Sequence, residues 1–484
     1  MTSTIKVNTI QDSCGSALVA KCGSTITLGA SGKTIALATG ASQSGFGRSG
    51  SVNWCTTAKT SPFTSESGKG YFVNTTSGSI TVTLPASPSA GDIVAIADYA
   101  GTAGCNAIVI GRNSSKFQGT CSCGAVNEAR EAVTLVYVDA TQGWQSVGDS
   151  TESKINKAYV TATGGTITTC GDFKVHTFTS DGNFVVSGAG NSAGSNTVDY
   201  LVVAGGGAGQ PFIGAGGGGG GFRLSNSYSL SGQSPLANPT GLSVPVATYP
   251  ITIGGGAAAV AGPEATRGTS RQGANSVFST ITSAGGGGAG GFGSADPADP
   301  GVPVQHGARG GSGGGSDYNS GDGPNGTNAG GVGNIPPVSP PQGNPGGKGQ
   351  YHPSLPDAGN NFGNGGGGGA GGAGGDFTSP KQMGVGGVGS FVSPTMAGSN
   401  GTTGPATGRY FSGGGGAGGG RPSHTIGPGG AGGGGAGSNS GNGTAGGTNT
   451  GGGGGGAGGY PSPGSGVGAA GGSGIVIIRY KYQN

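Results

Sequence analysis

General acid–base chemistry in this chain would have to be built from four histidines, His176, His306, His352 and His424, and five glutamates, Glu66, Glu128, Glu131, Glu152 and Glu264. The histidines are widely spaced and form neither a catalytic triad pattern nor an H-E-x-x-H motif. Glu128 and Glu131 are close enough to suggest the paired carboxylates of glycoside hydrolysis, but they flank Arg130 in a turn-like stretch and read most simply as solvated surface. Cys121-Ser122-Cys123 with Cys105 could offer thiolates to zinc, yet C-x-C without a second ordered pair matches structural zinc sites poorly. The seven cysteines, odd in number and without C-x-x-C, argue against a disulfide framework, and most read as small buried hydrophobes. No G-x-x-x-x-G-K-[ST] cradle is present. The expectation is therefore a protein that is not an enzyme and has no metal and no cofactor.

What remains is binding chemistry. Phe292, His306, Tyr318, Tyr351, His352, Phe377, Phe391, Tyr410, Phe411, Arg421, His424 and Tyr460 stand in connectors between glycine runs. Aromatic and arginine side chains give large contact area for little lost side-chain freedom, which suits them to a receptor surface. They suit equally well a second role, folding back to shield glycine backbone from water, and the sequence does not say which connectors share an end.

The elements that must position these residues are set by an unusual composition. Glycine supplies 121 of 484 residues, the hydrophobic fraction is 32% and the charged fraction 8%, against a usual glycine share of about 7%. One large conventional core is excluded, and so is a charged disordered tail. A net charge of +3 without a basic block makes nucleic acid an unexpected partner. No stretch approaches the roughly 20 apolar residues of a membrane span, and Met1 to Asn8 lacks the apolar core of a signal peptide, so synthesis in a cytoplasm without membrane insertion is expected.

Five segments follow along the chain. Residues 1–50 carry short alternating runs around Thr4–Ile10, Ser24–Leu28 and Lys33–Leu37, the pattern of short strands that pair with other copies of the chain in a stalk or attachment segment. Residues 51–150 predict a small β-sandwich with strands near residues 71–74, 79–84, 92–97, 107–110 and 132–138. Residues 151–158 are a polar linker. Residues 159–204 predict a hairpin through Ser180-Asp181-Gly182-Asn183, leading into Val198–Ala204. Residues 205–484 hold the glycine runs and close with Gly474–Tyr480, so strands bracket the glycine-rich body.

Consecutive glycines without a strict every-third-residue pattern exclude collagen. A flexible linker fits poorly, because the connectors carry aromatics and prolines and strands enclose the whole. The better expectation is a bundle of polyglycine II helices, each with three residues per turn and about 3.1 Å rise. Fixing a residue costs about 1–2 kcal/mol, while a hydrogen bond returns only about 0.5–1.5. One run alone therefore stays unfolded, whereas a lattice of runs can order cooperatively. Alanines such as Ala289, Ala370 and Ala436 would fit only where a helix faces outward or a gap exists. The expected fold class is mainly β, with the polyglycine bundle at the C-terminal side.

The series Val175-His176-Thr177-Phe178, Asp199-Tyr200-Leu201-Val202-Val203-Ala204-Gly205-Gly206-Gly207, Tyr249-Pro250-Ile251-Thr252, Asn275-Ser276-Val277-Phe278 and Gly474-Ile475-Val476-Ile477-Ile478-Arg479-Tyr480 resembles the glycine-rich domain of tailed-bacteriophage tail-fibre proteins over about residues 159–484. The N-terminal segments, with Tyr71-Phe72-Val73-Asn74 and Gly143-Trp144-Gln145, look like those of marine, often cyanobacterial, phage structural proteins. The resemblance implies a virion protein released by lysis, whose end loops bind a host surface glycan or outer-membrane protein. The chain departs from related adhesins in carrying its own N-terminal β segments, which points to attachment to other virion proteins, and the short-strand N-terminal part leads to the expectation of a homotrimer. The competing reading is a capsid fibre, decoration protein or extracellular filament subunit with no receptor of its own.

Overall fold

Alternation of β-branched and polar residues builds the β units, and glycine builds everything between them. The computed structural model describes residues 52–147, 157–192, 194–261, 271–291, 306–318, 327–351, 362–378, 381–459 and 466–483, together with three short strands near the N-terminus. The architecture is mainly β, with several open sheets. The N-terminal strands Thr9–Gln11, Ala17–Cys22 and Thr25–Leu28 form an antiparallel sheet. The expected run at Ser24–Leu28 is thus a strand, but its partner is Ala17–Cys22; Lys33–Leu37 lies outside the described residues.

In the next unit the strands Asn53–Lys59, Phe63–Thr64, Lys69–Val73, Ile80–Thr83, Ile93–Asp98 and Ile108–Gly111 fall alternately into two sheets and pair in parallel within each. Gly124–Val126, Ala132–Tyr137 and Trp144–Ser146 complete the sheets in antiparallel fashion. The two sheets share one core of Val73, Val82, Leu84, Ile96, Ile108, Ile110, Phe117, Leu135 and Trp144. A two-layer sandwich is present, but it is wound like a short β-helix. The four free thiols expected inside are outside: Cys105, Cys121, Cys123 and Cys170 are exposed, because the first three sit in turns and Cys170 ends an edge strand, Thr166–Cys170, that is exposed throughout.

The second β unit corrects the expected hairpin. Phe173–Phe178 pairs with Thr166–Cys170 and with the closing strand Ile475–Lys481, whereas Gly182–Ala189 belongs to a second sheet with Val160–Thr163 and Ala247–Thr252. The Ser180–Asn183 turn crosses between sheets, so that Phe178 and Phe184 enter the shared core from opposite layers. The two bracketing strands lie side by side: Thr197–Val203 runs antiparallel to Ile475–Lys481, with Asp199 opposite Arg479 and Val203 opposite Ile475. The closing strand leaves the glycine body at Gly474 and ends beside the N-terminal β unit, where Lys157 Nζ meets Glu128 Oε1 at 3.1 Å.

The glycine runs form a lattice with a period of three. Along residues 205–210, Gly205 and Ala208 donate to Ala274 and Arg271, Gly206 and Gly209 to Gly472 and Ala469, and Gly207 and Gln210 to Gly218 and Ala215. Every third N–H meets the same neighbouring run, which is the repeat of a polyproline II-type helix. Residues 214–221 lie at the centre. Their N–H groups donate to the runs around 451–457, 365–368 and 284–287, and their carbonyls accept from those around 207–210, 312–315 and 415–418. Adjacent members of this ring of six bond to one another as well, for example Gly286 to Gly205, Gly287 to Ser312, Gly365 to Ser316, Gly367 to Gly415, Gly453 to Gly413 and Gly454 to Gly207. The packing is hexagonal.

Glycine is demanded by this spacing. A Cβ on Gly216 would lie 2.0 Å from the Gly415 carbonyl oxygen, and one on Gly217 2.2 Å from that of Gly207. The alanines correct the expectation made for them in part: Ala289 and Ala370 are buried and Ala436 is half-buried. Ala370 enters an apolar cluster with Val392, Met396 and Phe411, and Ala417 packs with Phe377 and Met383, so alanine marks places where the lattice meets side chains.

Candidate functional site

Register fixes which connectors share an end. Residues 204–210 leave the sheet at Val203 and run antiparallel to residues 214–221, which return to the sheet at Phe222. The 211–213 turn therefore lies at the end remote from the sheets. The same argument, run by run, places there the chain exits at Ala261, Gly291, Tyr318, Tyr351 and Gly459, the re-entries at Arg271, His306, Phe362 and Gly466, and the turns at residues 420–424 and 439–442. The turns at residues 334–342 and 370–372 and the segment 390–411 lie at the sheet end.

The sequence-selected residues divide accordingly. His306, Tyr318, Phe377, Arg421 and His424 belong to the remote end, with Tyr351 described there for its backbone alone; Phe292, His352 and Tyr460 lie outside the described residues. Phe391, Tyr410 and Phe411 sit at the sheet end, on the paired strands Ser390–Val392 and Arg409–Phe411. Burial divides them again. Phe377, Phe411 and His424 are buried and pack within the fold, and Tyr410, buried too, lines a cleft. Phe377 packs on Met383 and Ala417, and its ring lies so close to Gly363 that no Cβ fits there. His424 accepts a hydrogen bond at Nδ1 from the Gly420 N–H, 3.2 Å, and burial, with Arg421 and Lys381 adding repulsion, holds its imidazole below the usual range. His306 and Tyr318 are half-buried, and Arg421 is exposed. Arg421 and Lys381, on adjoining connectors of the remote end, are both exposed.

The carboxylates weighed for catalysis have structural partners. Glu131 Oε2 accepts from the N–H groups of Asn127 and Glu128, and Glu128 pairs with Lys157.

At the sheet end, the buried polar residues of the bracketing strands form a clamp. Asp199 accepts hydrogen bonds from the Ser227 N–H and Oγ at 2.7 and 2.8 Å and from Ser225 Oγ at 3.2 Å, and Arg479 Nη1 lies 3.3 Å from its other oxygen. The Arg479 guanidinium stacks 3.8 Å above the Phe173 ring. His176 Nδ1 is 2.7 Å from the Gly164 carbonyl and so carries the proton, leaving Nε2 to accept from the Tyr480 hydroxyl at 3.1 Å. The model of a family described as a glycine-rich domain matches residues 179–481. The chain belongs to this family. The match starts after Phe173–Phe178, yet that strand and its His176 are integral to the glycine-rich domain's closing sheet. Asp199 and Arg479 tie the strand that enters the glycine-rich body to the strand that leaves it. No curated protein matches the chain.

Proposed function

We propose that the protein is a virion tail fibre or spike without catalytic activity, whose polyglycine scaffold presents connectors at its remote end to the host cell surface. The observation that carries this reading is the topology: a set of connectors, among them residues 211–213, 420–424 and 439–442, gathers at the end of the glycine body remote from the sheets. A scaffold saturated by its own hydrogen bonds has no side chains to spare for recognition, so variation is confined to the connectors. The partner on this reading is a host surface glycan or outer-membrane protein, met by residues such as His306, Tyr318 and Arg421. The N-terminal segment joins other virion proteins, most simply as a homotrimer. The protein acts on the virion surface after synthesis in the host cytoplasm.

The test is competition: purified protein should slow adsorption of particles to host cells, and replacing the exposed residues 421–423 should remove that effect while leaving the fold intact. Unchanged adsorption at saturating protein would sink the adhesin reading. A second reading, a capsid fibre, decoration protein or filament subunit, draws support from the burial of Phe377 and His424, which serve the scaffold. Labelling intact particles separates the two, since a tail location favours the first and a capsid or filament location the second.

A further inference from the structure

We propose that the sheet end of the glycine-rich domain carries a binding cleft for a neutral pyranose, separate from the remote connectors. Five segments distant in sequence converge around a cleft of about 390 Å³, a size within the range of small-ligand sites. Phe391 and Tyr410 form one wall, with ring centroids 5.7 Å apart and planes inclined by 42°. Three proline rings, those of Pro235, Pro341 and Pro405, complete the apolar surface. Glycine makes this wall possible, because a Cβ on Gly404 would fall 2.2 Å from the Tyr410 ring.

The polar groups of the cleft have hydrogen-bonding capacity left over. Ser234 Oγ and Ser390 Oγ lie 2.6 Å apart, and Ser234 Oγ also accepts from the Leu236 N–H. Two hydroxyls hold two protons, and their mutual bond uses one, so one donor remains. The Tyr410 hydroxyl accepts from the Ala406 N–H at 3.1 Å and retains its own proton for a ligand. Asn344 spends both amide protons on the carbonyls of Gly369 and Ala370, each at 3.0 Å, leaving its Oδ1 as an acceptor. The cleft thus offers two donors, one acceptor and an aromatic face.

Among the described residues no acidic or basic side chain lines the cleft, which disfavours charged ligands. A polyproline segment presents carbonyl acceptors only, and so leaves the Asn344 acceptor unmatched. A neutral sugar supplies hydroxyls that both donate and accept, together with an apolar C–H face to lie on a ring. The sequence reading selected Phe391 and Tyr410 by residue type alone; it missed Asn344, Ser234 and Ser390, which carry no signature until the fold assembles them.

The experiment uses the full-length protein and saturation-transfer NMR with the methyl glycosides of glucose, mannose and galactose, alongside a polyproline peptide. At least one glycoside is expected to bind. Phe391→Ala should weaken that binding about tenfold, and Ser390→Ala and Tyr410→Phe, which keep the apolar wall, should each weaken it by a smaller factor with the circular dichroism spectrum unchanged. Absence of glycoside binding, binding of the peptide alone, or glycoside affinities unaltered in folded Phe391→Ala and Ser390→Ala would each overturn the proposal. Glycoside binding is read on the isolated protein and adsorption on cells, so this site and the adhesin reading can fail separately.

Discussion

Gly216→Ala should destabilise the lattice severely, whereas Gly255→Ala should not. Both residues belong to glycine runs and neither has a positive φ. At Gly216 the new methyl would sit 2.0 Å from the Gly415 carbonyl oxygen and 2.5 Å from its carbon; at Gly255 nothing lies within 4 Å. Relief at Gly216 requires two central runs to separate by more than an ångström. Separation of that size disrupts the neighbouring bonds from Gly415 to Gly217 at 2.8 Å and from Gly217 to Gly454 at 2.9 Å, in a region closed to water. Two or three buried groups left unpaired at about 1–3 kcal/mol each give a loss on the order of 3–6 kcal/mol. Gly255→Ala restricts the unfolded chain instead and should stabilise by about 0.4–1 kcal/mol. Urea unfolding followed by circular dichroism, with limited proteolysis as a second probe, measures both. Equal midpoints for the two variants would refute the lattice argument, since the room for a Cβ is closed at buried Gly216 and open at exposed Gly255.

Asp199→Ala should cost about 3–5 kcal/mol, because it strands the Arg479 charge in a site where both side chains are nearly inaccessible; unfolding midpoints check this, and Arg479→Lys should rescue little, since it loses the stack on Phe173. Burial chiefly holds the His176 pKa below its ordinary value, against the pull of its bond to Gly164. The unfolded chain therefore binds the proton first, and stability should fall as pH drops below about 6.5, levelling off once the folded-state pKa is passed. His424 shifts the same way, so His176→Gln should flatten part of that acid loss and a double variant more of it, as read by thermal unfolding between neutral and acid pH. Trypsin should nick the native protein first at exposed Lys381 at the remote end, leaving associated fragments, while Arg421 resists because Pro422 follows it; rapid loss of everything beyond about residue 205 would rule out a folded bundle.

Strands were legible in the sequence where their signal is local: Ile80–Thr83, which alternates in burial, and Ile93–Asp98, an apolar run buried throughout, stand where β-branched runs placed them. Pairing was less legible. Phe173–Phe178 and Phe184–Val186 look like a hairpin because a glycine turn joins them, but the closing strand, some 300 residues away in sequence, offers Phe173–Phe178 a register of six residues, from Phe173 opposite Lys481 to Phe178 opposite Val476. Nothing local announces such a partner. Polyglycine helices were legible as a class from run length and bracketing strands, whereas their neighbours were not, since a glycine carries no side chain to encode which run it meets. The order of the lattice is instead imposed at its ends, where Asn344, Gln342 and Asn364 bond to backbone groups and where Ala370 and Ala417 meet apolar clusters. The same fact explains the uneven success with the candidate residues. Aromatic type marks a connector, but Phe377 and Phe411 are needed to seal the lattice, and only the three-dimensional register separates such sealing residues from the half-buried Phe391 and the exposed Arg421. A lattice whose interior tolerates almost no side chain leaves its ends and flanks as the places where sequence can change without unfolding it. Any recognition this protein performs is therefore expected to track substitutions at the exposed residues 421–423 or at the Phe391 cleft, and to be indifferent to those in runs that still fold.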